Sequence, residues 1–245
     1  MNSQDPTQFA KYKNFGAYHW SVFDRDPRRH DLFTYTRYQV ALENAAIIDG
    51  MKVLDFGCGD GVLTYLVWKQ NVGGRTIGIE PESVGRNLAQ QMFQKRNASI
   101  IILESSEMIS DNSQDIVLCA DVIEHVEDPD DLLVEIHRIT KPEGRVVFST
   151  PVRINEFPQD KEHVREFFPL EFNNLIKGHF NIVNHDFCTS VFALELYTWK
   201  PVFFLKRPLF GWIMSFLNIW FNVNIMMKFN TNNNLWTTQI ITAVK

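Results

Sequence analysis

Between Val53 and Gly61 the chain reads Val-Leu-Asp-Phe-Gly-Cys-Gly-Asp-Gly, an apolar run that closes on an acidic residue and three alternating glycines. No other stretch narrows so far the folds open to this sequence. The apolar half predicts a buried strand. The glycines predict a sharp turn into a helix, because they accept positive φ and leave main-chain amides open to a ligand. Asp55 then stands at the carboxyl end of the strand, where open α/β sheets bind their ligands. Gly57, Gly59 and Gly61 make G-x-G-x-G and lack the third glycine of the dinucleotide fingerprint G-x-G-x-x-G, which counts against a pyrophosphate-bearing cofactor.

Further segments follow at telling distances. Thr76-Ile77-Gly78-Ile79-Glu80 reads as a second strand closing on a carboxylate, about twenty residues on, where an acidic side chain can take both hydroxyls of a ribose. Asp115 to Asp121 is an apolar strand that also ends in an acid, followed by Val122-Ile123-Glu124-His125-Val126 and the helix start Asp128-Pro129. Lys141-Pro142-Glu143-Gly144 reads as a turn and Arg145 to Pro151 as another strand. With these motifs in this order, roughly residues 50 to 151 resemble the class I S-adenosylmethionine-dependent methyltransferases, and among them the small-molecule O-methyltransferases of ubiquinone biosynthesis and sugar tailoring. The resemblance implies an α/β, Rossmann-like fold: a seven-stranded, mainly parallel sheet with an antiparallel last strand and helices on both faces. It implies S-adenosyl-L-methionine as methyl donor. Asp55, Gly57, Gly59 and Asp121 would hold the methionine part, Glu80 the ribose, and Ser106 and Glu107 the adenine, with Cys58 and Pro81 among the same contacts.

An oxygen acceptor needs a base to take its proton. His125, just past the fourth strand, and His163, after the fifth, both fall at the ligand end of such a sheet, and an imidazole titrates near neutral pH. His163-Val164-Arg165-Glu166-Phe167 is similar to a segment of the ubiquinone-pathway and glycan-tailoring enzymes that approaches the acceptor pocket, so Arg165 becomes a candidate anchor for an acidic substrate group. His125 can equally serve to hydrogen-bond its loop, and Arg165 to pair with Glu162 or Glu166. Tyr18-His19-Trp20 and Arg37 belong to an N-terminal helical segment, residues 1–48, that could close as a lid, with Tyr18 and Trp20 toward the substrate, or pack on the sheet rim. Asp121-x-x-Glu124-His125 with His163 is similar to the metal-ligand set of small-RNA 2′-O-methyltransferases. Asp instead of Glu at the first position, and Val126 instead of a further histidine, count against a divalent ion.

A net charge of −5 argues against a general nucleic-acid binder, which needs Lys and Arg to neutralise phosphates. Three widely spaced cysteines, Cys58, Cys119 and Cys188, indicate neither a zinc site nor a disulfide framework. The start of the chain does not read as a secretory signal, so a cytoplasmic location is the default expectation. Periodicity predicts helices over 31–48, 61–70, 82–96, 128–140 and 170–177, a third strand over 97–103, and a closing edge strand over 237–244 paired with 181–188. The methyltransferase domain, 49–245, then carries an apolar insertion at about 189–236. From Pro208 to Met227 there is no charged residue, while Lys206, Arg207 and Lys228 flank the stretch. On a helical period Gly211, Ser215, Asn218 and Asn222 form one polar stripe, and Asn218, Asn222 and Asn224 make spanning a bilayer costly. Three readings stay open: packing on the chain's own core or in a homodimer, lying in a membrane interface at its inner face or over a greasy substrate, and spanning. The sequence therefore points to O-methylation of a small amphipathic acceptor, such as a sugar, a lipid-linked glycan or a phenol. The alternatives are a metal-assisted RNA 2′-O-methyltransferase and a donor-binding scaffold without turnover.

Overall fold

The structure is a computed structural model and describes residues 10–156, 158, 160–200, 208–228 and 235–245. A short helix α1 (Ala10–Phe15) and a 3-10 turn (Tyr18–Phe23) lead to α2 (Leu32–Ala45). Asp31 caps α2 by accepting from the Thr34 amide, and Ala46 ends it in the left-handed region, short of the predicted end at 48. The alternating core then follows: β1 (Lys52–Phe56), α3 (Val62–Gln70), β2 (Arg75–Ile79), α4 (Ser83–Lys95), β3 (Ile101–Leu103), β4 (Gln114–Ala120), α5 (Pro129–Ile139) and β5 (Thr140–Pro151). The remainder comprises α6 (Pro169–Lys177), β6 (Asn181–Ser190), α7 (Val191–Thr198), α8 (Leu209–Phe221), α9 (Ile225–Lys228) and β7 (Trp236–Val244).

The seven strands pair in the order β3-β2-β1-β4-β5-β7-β6; the first five run parallel and β7 is antiparallel to both its neighbours. Alternate strand residues feed two cores. Leu54, Val117, Val146 and Phe148 pack against α5 and α6 on one face, and Val53, Ile116, Leu118 and Val147 against α2, α3 and α4 on the other. The order reverses between β1 and β4, so a crevice opens beyond their carboxyl ends, which is where the glycine turn and Asp121 lie.

Two expectations are corrected. Residues 237–244 are not an edge: β7 lies inside the sheet and β6 is the outer strand. The polar composition of β7 misleads because its polar side chains are satisfied internally; buried Gln239 donates to the Phe167 carbonyl at 2.9 Å and lies 3.2 Å from His185 Nε2. Residues 141–144, within the span of β5, loop out of its pairing with β4 as the turn reading expects: Thr140 pairs with Gln114 and Arg145 with Ile116, and Glu143 takes φ 61°. The apolar stretch 208–227 is not one continuous helix. α8 ends at Asn222, which adopts φ 54°, and its buried side carries Gly211, Met214, Ser215 and Asn218. The stripe faces inward at Gly211, Ser215 and Asn218, with Asn222 left exposed, because His30 Nε2 meets Asn218 Oδ1 at 3.1 Å and because Gly211 presses on the Tyr197 carbonyl, where a Cβ would collide. Asn224 donates to Thr36 and Gln39 on α2, and Met214 and Met226 pack on Leu32. Lys206 and Arg207 lie outside the described residues. Among the described residues, no helix is long and apolar enough to cross a membrane.

Candidate active site

The glycine turn is built by steric necessity. Gly57, Gly59 and Gly61 take φ of 75°, 57° and 81°, and a Cβ on Gly61 would stand 2.6 Å from the Phe93 ring. A Cβ on Gly57 would collide with Val122, and one on Gly59 with the Tyr12 hydroxyl. The turn thus brings backbone to the crevice, and α1 lies across it. Asp60, buried within the turn, ties down the N-terminal segment: its carboxylate accepts from the His19 amide at 3.0 Å and lies 3.2 Å from His19 Nδ1. Its carbonyl accepts from Trp20 Nε1 at 2.7 Å.

Behind the turn stand two carboxylates. Glu80 accepts from the amides of Gly59 at 2.7 Å and Glu82 at 2.8 Å; burial raises its pKa. Asp55 accepts from the Thr64 hydroxyl at 2.6 Å, and burial, with the Glu80 charge adding to it, pushes its pKa up to about 7. In front opens a cavity of about 420 Å³ whose wall includes Tyr12, Tyr18, Arg37, Gly57, Cys58, Gly59, Asp121, His125, His163 and Glu166. Asp121, at φ 56°, pairs with Arg37 Nη1 at 2.8 Å and accepts from Ser149 Oγ at 3.1 Å. This pair joins α2 to the end of β4.

The two histidines differ in support. His163 Nδ1 lies 2.8 Å from the buried carboxylate of Glu166, three residues on. His125 Nδ1 lies 2.9 Å from the Glu162 carbonyl, and burial lowers its pKa, with the neighbouring His163 working the same way. Their rings meet edge to face at 4.9 Å. Glu124 is buried, accepts from Thr150 Oγ1 at 3.0 Å, and has its pKa driven well up by burial and by Asp121. Glu124, His125 and His163 present ligand atoms within 4.8 Å of one another. Asp121, the fourth residue of the expected ligand set, is instead held by Arg37 and Ser149.

Of the residues singled out from sequence, Tyr18, Gly57, Cys58, Gly59, Asp121, His125 and His163 line this one cavity. Several do not. Trp20 is a core residue, packed on Tyr65 with Arg96 over its ring at 4.1 Å. Arg165 donates to the Glu127 carbonyl at 2.5 Å and lines a separate outer groove. Asp55 and Glu80 lie behind the turn rather than on the wall, and Pro81, Ser106 and Glu107 are also absent from it. Sequence reasoning missed the work of Tyr12, Asp60 and Glu166. Only Glu166 left a signal, its i+3 spacing from His163.

Sheet order, switch point and glycine turn together define a Rossmann-like fold of the class I methyltransferase type. Residues 54–148 match the methyltransferase domain family. Over 148 residues the chain is 32% identical to the ubiquinone biosynthesis O-methyltransferase of Aliivibrio fischeri strain MJ11, a match covering 60% of this chain and 63% of that protein. The chain therefore spans somewhat less than two thirds of the length of that curated relative. A methyltransferase of Aquifex aeolicus shares the fold at TM-score 0.59 and 16% identity, over 99% of both chains. A phosphoethanolamine N-methyltransferase of Haemonchus contortus, solved with S-adenosyl-L-methionine, does so at TM-score 0.65 and 16% identity over 100% of this chain and 60% of that one.

Proposed function

We propose that this protein transfers a methyl group from S-adenosyl-L-methionine to a hydroxyl of a small amphipathic acceptor, with His163 as general base. The observation that carries the reading is the His163–Glu166 pair, 2.8 Å apart on the wall of the cavity that also receives the glycine turn and Asp121. The backbone around Gly57 and Gly59 has room for a ligand that any Cβ would exclude, and Asp121 suits the ammonium of an amino acid. When bound, the donor supplies a sulfonium methyl that an acceptor oxygen takes by in-line displacement. Glu166 accepts Nδ1–H of His163, which leaves the Nε2 lone pair to receive the acceptor's proton as the new C–O bond forms. The carboxylate also stabilises the imidazolium that results. His125 Nδ1 meets the Glu162 backbone carbonyl rather than a carboxylate, and burial lowers its pKa, so the base is assigned to His163. Tyr12, Tyr18 and Arg37 close the site from the N-terminal side and help exclude water.

Calorimetric titration with S-adenosylmethionine and S-adenosylhomocysteine tests the donor site; micromolar binding of both, weakened in Asp121→Asn, is expected. A folded chain that binds neither refutes the reading. Transfer of the methyl is then assayed with phenols and lipid-linked sugars. The Glu124, His125 and His163 cluster favours one second reading, in which a divalent ion activates the acceptor. Activity that disappears in EDTA and returns with magnesium or manganese would establish it; activity indifferent to EDTA leaves His163 as base.

A further inference from the structure

We propose that the outward face of α8 is a docking surface for a bilayer carrying anionic lipids. The inference does not depend on the chemistry of the cavity. α8 is inside out by the standards of a water-facing helix: Gly211, Ser215 and Asn218 are buried, while Phe210, Ile213, Phe216, Trp220 and Phe221 are 37%, 46%, 46%, 60% and 63% exposed. Soluble surfaces rarely gather so many large apolar side chains in one patch. The helix is not free to roll over and hide them. Turning it would break the buried His30–Asn218 contact and lift Gly211 from the Tyr197 carbonyl, against which no larger residue fits.

Charge selects the occupant. The whole chain is acidic, at −5, yet the segment from Pro208 to Met227 has no charge at all. Basic residues border it. Arg28 and Lys200 line a cleft of about 420 Å³ with Trp212, and Arg29 lines the neighbouring groove beside the same tryptophan. Asp26 is the acid among them, and it is bound to Arg28 at 2.6 Å. An apolar helix with tryptophan and a basic border fits the boundary of an anionic bilayer, where indole rings settle at headgroup depth. A second copy of the chain fits less well, since an isologous pairing would set this basic border against itself. Lying flat, the 13 residues of α8 would span about 20 Å of membrane surface. The docked face and the cavity share elements: α9 and α8 rest on α2, which sends Phe33, Thr34 and Arg37 to the cavity wall, and α7 sends Leu194.

Flotation of the full chain with vesicles tests this, using phosphatidylcholine alone and an equimolar mixture with phosphatidylglycerol. The chain should float with the mixed vesicles and much less with the neutral ones. Ile213→Asp combined with Phe216→Asp and Trp220→Asp should lower the bound fraction roughly tenfold or more. Arg29→Glu with Lys200→Glu, which leaves the apolar face intact, should weaken binding to mixed vesicles alone, and added salt should mimic it. Circular dichroism and the thermal midpoint certify each variant as folded. Three results overturn the proposal: a folded chain that ignores both vesicles, equal flotation of the parent and both variants, or a dimer in sedimentation that the triple variant splits while no vesicle is bound.

Discussion

At His163 one side chain decides between two chemistries. If its Nε2 removes the acceptor's proton, His163→Ala should lower kcat by roughly 10²- to 10⁴-fold and leave donor affinity unchanged in calorimetry. Glu166→Gln should keep the ring in place but spoil its tautomer, with a loss on the order of 10²-fold or more in kcat. His125→Ala should be far milder. A second residue-scale expectation concerns Asp55, whose pKa rises from 3.8 in the unfolded chain to about 7 in the buried site. Between those values the unfolded chain holds fewer protons, so stability falls as pH rises through that window and the loss is complete above about pH 7. Urea unfolding of Asp55→Asn across the window should show a shallower decline, because the amide can still accept from Thr64 yet has no charge to bury. The motif residues were legible in the sequence because glycine spacing and strand-end acids are local signals. Glu80 and Asp55 were legible as strand-end acids and read as donor contacts, but which way each carboxylate points is set by partners such as Gly59 and Thr64. Trp20 and Arg165 read as substrate contacts because aromatic and cationic side chains look alike whether they line a site or pack beside it.

Among the elements, α8 shows where periodicity stops being informative. The sequence has the stripe of Gly211, Ser215, Asn218 and Asn222 at correct helical spacing, yet spacing cannot say whether a stripe faces water or protein. That was settled by His30 and Tyr197, one before and one after α2, which no window centred on α8 contains. Gly211→Ala should push α8 off the Tyr197 carbonyl and destabilise the fold by about 1–3 kcal/mol, a drop of several degrees in thermal midpoint, with donor binding retained. Asn218→Leu should cost a similar amount by stranding His30. Gly61→Ala differs: positive φ and the Phe93 ring act together on the donor turn, so both stability and donor affinity should fall.

On the scale of the whole molecule, the N-terminal segment and the sheet order have the widest reach. Tyr12 rests on Gly59, and Asp60 holds His19 and Trp20, so the covering segment and the glycine turn are tied to each other. Asp60→Asn should loosen that cover and speed donor dissociation in stopped-flow displacement, with a smaller change at equilibrium. The alternating half of the fold was readable because each strand and helix announces itself within a dozen residues. At the antiparallel end the pairing of 181–188 with 237–244 was readable, but the place of β7 between β5 and β6 was not, since it depends on pairings across some ninety residues to β5. That placement also sets a timetable for the nascent chain. Until residue 244 has left the ribosome, β5 keeps one side without its strand partner and β6 has no sheet to join, so the antiparallel side of the sheet is assembled last, and any chaperone that holds this polypeptide during synthesis meets it with that seam still open.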